Sequence, residues 1–121
     1  MLEYNGRGDK QLENEIGLSE LHTACRDGDI ATVERLLLED PKVDVNKATP
    51  TYNMTPLYIA SLKNYADIVE ELLKQPEIDM SKSTKDRESP LYVAIKKNHA
   101  EVKDLLYKHL KLIEIKEKEN K

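Results

Sequence analysis

The stretch MTPLYIASLKNYADIVEELLK, residues 54–74, returns as ESPLYVAIKKNHAEVKDLLYK, residues 88–108. Both copies keep Pro, Leu, Tyr, Ala, Asn and a Leu-Leu pair, and the shared Ala60 and Ala94 are 34 positions apart. Residues 19–38, SELHTACRDGDIATVERLLL, fit the same frame. A fixed period of a few tens of residues is typical of stacked arrays, in which each unit covers the apolar stripe of its neighbour. The pattern therefore predicts three stacked copies.

The second copy indicates how one unit folds. Thr55 offers a side-chain oxygen to the first free amides of a helix, and Pro56 sits where a missing N–H costs nothing. A short helix is predicted from about Pro56 to Lys63, and Asn64 ends it because asparagine tolerates left-handed backbone. A second helix, from about Ala66 to Lys74, carries a single apolar stripe. Each copy is therefore predicted to be a helix-turn-helix unit.

The composition limits the fold and the classes of function. The 121 residues are 39% apolar and 35% charged, with no Phe and no Trp, which favours one folded domain of helical layers filled by small aliphatic side chains. The net charge of −4 argues against a polyanion binder. No run is apolar enough for a membrane span or an N-terminal signal peptide, and the one cysteine can form no internal bridge. We therefore expect a reducing setting, cytoplasmic or nuclear.

The repeated block resembles a known family. TPLYIA and SPLYVA are similar to the T-P-L-H-x-A signature of the ankyrin repeat. ELHTACRDGDIATVERLLLEDPKVDVN, residues 20–46, is similar to the fuller family pattern. The resemblance implies an all-α solenoid of three helix-turn-helix units with hairpin-like loops that project like fingers. It also implies a non-catalytic role, the recognition of another protein through the finger tips and the inner face of the first helices.

Several positions depart from the family pattern. The family's histidine is present only as His22, and tyrosines Tyr58 and Tyr92 replace it. In the fingers, Asn53 and Arg87 stand at the usual turn glycine. We interpret these departures as local costs in stability that leave the fold class unchanged.

The predicted organisation has five segments. The first is a flexible or capping N-terminal segment, the next three are ankyrin repeats, and the last is a charged C-terminal helical extension: residues 1–17, 18–50, 51–85, 86–110 and 111–121. In the first segment, Leu12 and Ile16 lie at i, i+4 and predict a turn over the first repeat.

The C-terminal extension has two interpretations. Leu110 and Ile113 continue the apolar stripe of the third copy, so we expect the extension to cover the open end of the array in a monomer. Leu112 and Ile115 lie on another side and leave open a seam for weak self-association through the termini. The corresponding alternative function is a structural or oligomerising segment of a longer ankyrin array.

The candidate partner-binding surface combines finger and inner-helix positions of all three copies. Its members are Arg26, Asp27, Tyr52, Met54, Leu62, Lys63, Asp86, Glu88, Lys96 and Lys97. Tyr52, Met54 and Leu62 are predicted to form an exposed apolar cluster, as at many interfaces. The alternative is that they pack against each other or against the next finger. Acidic residues in the first copy and lysines toward the third would steer a partner whose charges run in the opposite order.

Other residues whose side chains could bind a metal or be modified are interpreted as structural. His22 and Cys25 lie three apart on a helix, but no second pair completes a metal site, so both are predicted to be core side chains. Asn46 sits where ankyrin repeats can be hydroxylated, although a hydrogen bond within the finger turn is the simpler role. We find no pattern for catalysis or for a cofactor, and no interleaved aromatics for nucleic-acid binding.

Overall fold

The computed structural model describes residues 7–120, which form seven α-helices and no strand. In chain order the helices are α1 (Arg7–Asn14), α2 (Glu20–Asp27), α3 (Ile30–Glu39), α4 (Pro56–Leu62), α5 (Ala66–Leu73), α6 (Pro90–Lys96) and α7 (Ala100–Glu119). The prediction of an all-α fold is confirmed.

Six of the helices form two layers. The inner helices α2, α4 and α6 pack side by side, and so do the outer helices α3, α5 and α7. Each inner helix also packs on the outer helix that follows it in the chain. The helix α1 belongs to neither layer and packs on α4, the middle helix of the inner layer.

The inner helices begin where the capping residues predict. The Thr55 hydroxyl accepts a hydrogen bond from the amide of Tyr58 at 3.1 Å, and a proline opens α4. In the next copy the Ser89 hydroxyl accepts from the amide of Tyr92 at 3.1 Å, and a proline opens α6. Each cap satisfies an amide that the first turn leaves without a helical partner.

The turns between paired helices use left-handed backbone, as predicted. Asn64 and Asn98 have φ of 63° and 59°, and Gly28 in the first copy has φ of 72°. A β-carbon at Gly28 would lie 3.0 Å from the ring of Tyr65. The first turn therefore requires glycine for both its backbone conformation and its packing.

Arg87 occupies the finger turn with φ of 67°, a conformation that disfavours a side chain such as arginine. We expect Arg87→Gly to raise the free energy of unfolding by about 1 kcal/mol, because relief of this strain exceeds the extra entropy of glycine in the unfolded chain. Urea unfolding of the purified variants measures the change. Asn53→Gly is the matched control and should gain less, since asparagine tolerates φ of 57° better. Equal stability of wild type and Arg87→Gly would contradict the strain argument.

The core lies between the two layers and repeats from copy to copy. Leu57 and Leu91 are the second residues of α4 and α6, and both pack into the core, Leu57 fully and Leu91 partly. Cys25 is fully buried, and burial raises the pKa of its thiol to about 12. The predicted role of Cys25 as a core side chain fits this environment.

The helix α7 is one continuous helix of 20 residues. Leu110 and Ile113 are partly buried against the core, whereas Leu112 and Ile115 are about half exposed. Within residues 7–120, none of the helices combines the length and the apolar character that crossing a membrane requires.

Candidate protein-binding surface

The inner face of the array and its two finger loops bind the chain's own N-terminal helix. We call residues 40–55 the first finger and residues 74–89 the second finger. The helix α1 packs on α4 and contacts the second finger and the lysines that follow α4 and α6, and Glu15, the residue after α1, contacts the first finger. We call the surface that it covers the inner groove.

The first polar contact in the groove is at the beginning of α1. The Asp9 carboxylate lies 2.7 Å from Nζ of Lys97 and 3.6 Å from Nζ of Lys63. The two lysines follow α6 and α4 directly and occupy the same position in successive repeats. All three side chains are partly buried, so water screens their attraction less than on an open surface.

The middle of α1 adds one polar and one apolar contact. The Gln11 amide nitrogen donates a hydrogen bond to the Asp86 carboxylate of the second finger at 2.7 Å. Leu12 is buried in the same apolar cluster as Leu62, the last residue of α4. This burial is the main apolar contribution of α1 to the groove.

Glu15, which follows α1, binds the first finger. Its carboxylate accepts hydrogen bonds from the amides of Tyr52 at 2.9 Å and Thr51 at 3.2 Å. Burial alone would raise the pKa of Glu15, but hydrogen bonds from the Thr49 hydroxyl and from these amides outweigh it and lower the pKa. Glu15 is therefore held as a buried, charged carboxylate by donors of the finger.

Gly17 returns the chain from α1 to the first repeat. Its φ of 72° lies in the left-handed region, and a β-carbon there would be 3.1 Å from Cγ of Pro50. The structure differs from the turn over the first repeat that Leu12 and Ile16 predicted, because α1 packs on the second repeat and Ile16 is 73% exposed.

The prediction that Met54 and Leu62 are exposed is wrong, since their exposed fractions are 0% and 1%. Met54 precedes the capping Thr55, and the fully buried Ile59 lies at the fourth position of α4. This is the spacing of a hydrophobic staple, in which the two apolar side chains fix the entry of the chain into the helix. Leu62 ends the helix on which α1 packs.

The other eight predicted residues fall into two groups. One group contacts α1 or Glu15 through side-chain or backbone atoms: Tyr52, Lys63, Asp86 and Lys97. The other group has neighbours within the array: Arg26 pairs with Asp27 at 2.8 Å, Glu88 accepts a hydrogen bond from Tyr58, and Lys96 lies 5.5 Å from the ring centre of Tyr92. Whether any of the eight binds a partner stays a prediction.

Sequence reasoning missed the groove contacts of Asp9, Gln11 and Glu15. One signal was available, because Asp9, Leu12 and Glu15 are spaced three apart, which places them on one side of a helical turn.

The two-layer stack with its projecting fingers defines a repeat solenoid, and a family model specifies which one. The model for ankyrin repeats (3 copies) matches residues 4–84 and 21–119. The chain belongs to the ankyrin repeat family, which confirms the resemblance. A search of curated protein sequences gives no significant match.

Solved structures give a further comparison. The chain is similar to a chain in the complex of the Bd0816 predatory endopeptidase from Bdellovibrio bacteriovorus with the immunity protein Bd3460. The TM-score is 0.67 with 29% sequence identity, over 77% of this chain and 47% of that chain, so the match spans about half the length of the solved chain. Because 190 chains of solved structures match significantly, the fold alone does not identify a partner.

Proposed function

We propose that this chain is a non-catalytic module that binds a partner protein through its finger loops and the concave face of its inner helices. The observation that carries the proposal is that this face already binds a helix, α1, by ion pairs, hydrogen bonds and a buried leucine. A surface with this mixture of charged, polar and apolar contacts suits a protein partner. Ankyrin repeats are generally protein–protein interaction modules.

The fingers are held in place by contacts between repeats. The amide of Lys85 in the second finger donates to the carbonyl of Tyr52 in the first at 2.9 Å. The side chain of Asn46 donates to the carbonyl of Glu77 at 2.7 Å and accepts from the amide of Asp79 at 2.9 Å. A binding surface fixed in this way loses little conformational entropy when a partner arrives.

The structural comparison supports a protein as the partner class. The similar solved chain comes from a complex of two proteins, an endopeptidase and an immunity protein. Because the match covers about half of that chain, we propose for this chain only that the partner is a protein, and not which protein it is.

Site-specific photo-crosslinking in an extract of the source cells tests the proposal. A photoreactive phenylalanine replaces Lys96, the exposed residue before the groove residue Lys97, in one variant and Glu34 on the exposed side of α3 in another. We expect a discrete crosslinked partner protein at Lys96 and none at Glu34. Equal crosslinking at both positions, or none at either, would contradict binding through the concave face.

The second candidate function is an oligomerising segment, which the half-exposed Leu112 and Ile115 favour. With Leu73 and Ile78 they line a groove of about 520 Å³ between α7 and the second finger. A third crosslinking variant, at Leu112, separates the candidates. Crosslinks between two copies of the chain at Leu112, without a partner at Lys96, would favour the oligomerising segment.

A further inference from the structure

We propose that α1 is an internal ligand of the inner groove, and that the partner displaces it with a helix of the same chemistry. The partner helix is acidic and amphipathic, and presents a carboxylate, a leucine and a second carboxylate at successive spacings of three residues. This inference rests on the proposed function and deepens it by naming the kind of partner.

One end of the groove is a site for a carboxylate, formed by two lysines from successive repeats. Lys63 and Lys97 both direct their ammonium groups to the single carboxylate of Asp9, at 3.6 and 2.7 Å. Without a carboxylate between them, two lysines from equivalent positions would repel each other. The site therefore selects a ligand with negative charge at this point.

The other end of the groove is an anion site built from backbone. The amides of Thr51 and Tyr52 converge on the Glu15 carboxylate, at 3.2 and 2.9 Å. Successive amides that point at one oxygen pair form a concave site for anions. Glu15 thus marks where the second carboxylate of a partner binds.

The apolar contact lies between the two charged sites. Leu12 is buried in the cluster that also holds Leu62, while Asp9 and Glu15 bind on either side of it. The start of α1 lies at the end of α4, and Glu15 lies at the finger that precedes α4, so α1 runs antiparallel to α4. These contacts fix the order carboxylate, leucine, carboxylate and the direction of the ligand helix.

The helix α1 has the properties of an exchangeable ligand. It has eight residues, too few for a stable isolated helix in water, so it depends on the groove for its structure. It joins the array only through the turn at Gly17, and no inner or outer helix other than α4 makes extensive contact with it in residues 7–120. Release of α1 therefore removes Leu12 from the apolar cluster but leaves the contacts among the helices of the repeats in place.

Binding of a labelled peptide with the sequence of residues 7–17, RGDKQLENEIG, measures the exchange. The full chain with Asp9→Asn/Leu12→Ser/Glu15→Gln is the opened variant, because each change weakens one groove contact of α1 or of Glu15, which follows it. We expect fluorescence anisotropy to show at least about tenfold tighter binding to the opened variant than to wild type, since wild-type α1 competes for the groove. Equal binding to both chains, or none to the opened variant, would overturn the proposal.

Charge reversals in the opened variant test the location of the site. Lys63→Glu/Lys97→Glu should abolish peptide binding, whereas the matched reversal Lys108→Glu/Lys111→Glu on the exposed side of α7 should retain it. Loss of binding in both reversals would indicate general charge attraction and would reject the groove. Circular dichroism confirms that each chain remains helical.

Hydrogen exchange of the wild-type chain keeps the test independent of the variants. We expect the amides of α1 to exchange at least about tenfold faster than those of α4, because α1 opens locally while the array stays folded. Exchange of α1 only through global unfolding would show that it is a permanent part of the core and would overturn the proposal. The crosslinking experiment at Lys96 can also be repeated in the opened variant. If the yield of the crosslinked partner is the same as in the chain with wild-type α1, this inference is rejected and the proposed function stands.

Discussion

Replacement of Tyr58 by alanine is expected to lower the free energy of unfolding by about 3–5 kcal/mol, the range for truncation of a buried aromatic side chain. Tyr58 lies in the middle repeat with an exposed fraction of 1%, and its hydroxyl donates a hydrogen bond to the Glu88 carboxylate at 2.9 Å. Glu88 belongs to the second finger, so the side chain joins the second repeat to the third. Since small domains are stable by about 5–15 kcal/mol, the loss is a large share of the total. Urea unfolding followed by circular dichroism measures it.

Tyr92 provides the matched control for Tyr58. It occupies the same position of the third copy, where no further repeat follows within the described residues, and its exposed fraction is 47%. We expect Tyr92→Ala to lower the free energy of unfolding by less than about 1 kcal/mol, because its ring is half exposed and its contact with Lys96 is a surface one. Equal losses at the two positions would contradict the assignment of Tyr58 to the contact between repeats.

The fold was predictable because its signals are local. A capping residue followed by proline sets the start of α4 and α6, and an asparagine with left-handed backbone sets the turn after each. Both kinds of signal act within one helical turn. Repetition at a fixed period then places each unit beside the next without further information.

The burial of Met54 and Leu62 was less predictable, because it depends on what covers them. For Met54 a local signal existed, since an apolar residue before the cap commonly packs against the fourth residue of the helix, here Ile59. The repeat frame predicted an exposed inner-helix position for Leu62, whose exposed fraction is 1%. Its burial accompanies the packing of α1 on α4, an event that the repeat frame does not contain.

The helix α1 was missed because its stabilising partners are distant in the chain. Its sequence is polar, and its ion pair joins Asp9 to Lys97, 88 positions away. Helix formation in so short a segment depends on tertiary contacts. The same distance hid the fact that four predicted partner-binding residues already have an occupant: Tyr52, Lys63, Asp86 and Lys97.

Replacement of His22 by alanine is expected to lower the free energy of unfolding by about 3 kcal/mol at neutral pH, because it leaves a gap where a fully buried ring lies and removes the hydrogen-bond partner of two partly buried backbone groups. The amide of Ser19 donates to Nδ1 of His22 at 3.1 Å, so Nδ1 carries no proton. Nε2 therefore carries the proton of the neutral ring and donates it to the carbonyl of Lys47 at 2.7 Å. The ring thus joins the cap of α2 to the first finger.

The same geometry predicts a pH dependence of stability. Burial lowers the pKa of His22 from its ordinary value of 6.5, and the hydrogen bond to Lys47 opposes this shift without cancelling it. The unfolded chain therefore binds more protons than the folded chain as the pH falls below 6.5, and the free energy of unfolding decreases by up to about 1.4 kcal/mol per pH unit. The decrease ends below the pKa of the folded state, where both states are protonated.

Urea unfolding of wild type, His22→Gln and His109→Gln at several pH values between about 8 and 5 identifies the residue that causes the pH dependence. The expected slope of the unfolding free energy is at most about 1.4 kcal/mol per pH unit. His22→Gln keeps an amide donor for the Lys47 carbonyl but does not titrate, so we expect a smaller loss of stability than in His22→Ala and little slope below pH 6.5. His109→Gln is the matched control, because burial also lowers the pKa of His109, which is only partly buried near the end of the array. Glu15 contributes outside this window, since its pKa lies below its ordinary value of 4.5 and its stabilisation is lost only as the pH falls through that lower range. If the dependence of stability on pH persists in His22→Gln and disappears in His109→Gln, it arises in the C-terminal helix. That result would refute the role of the buried ring.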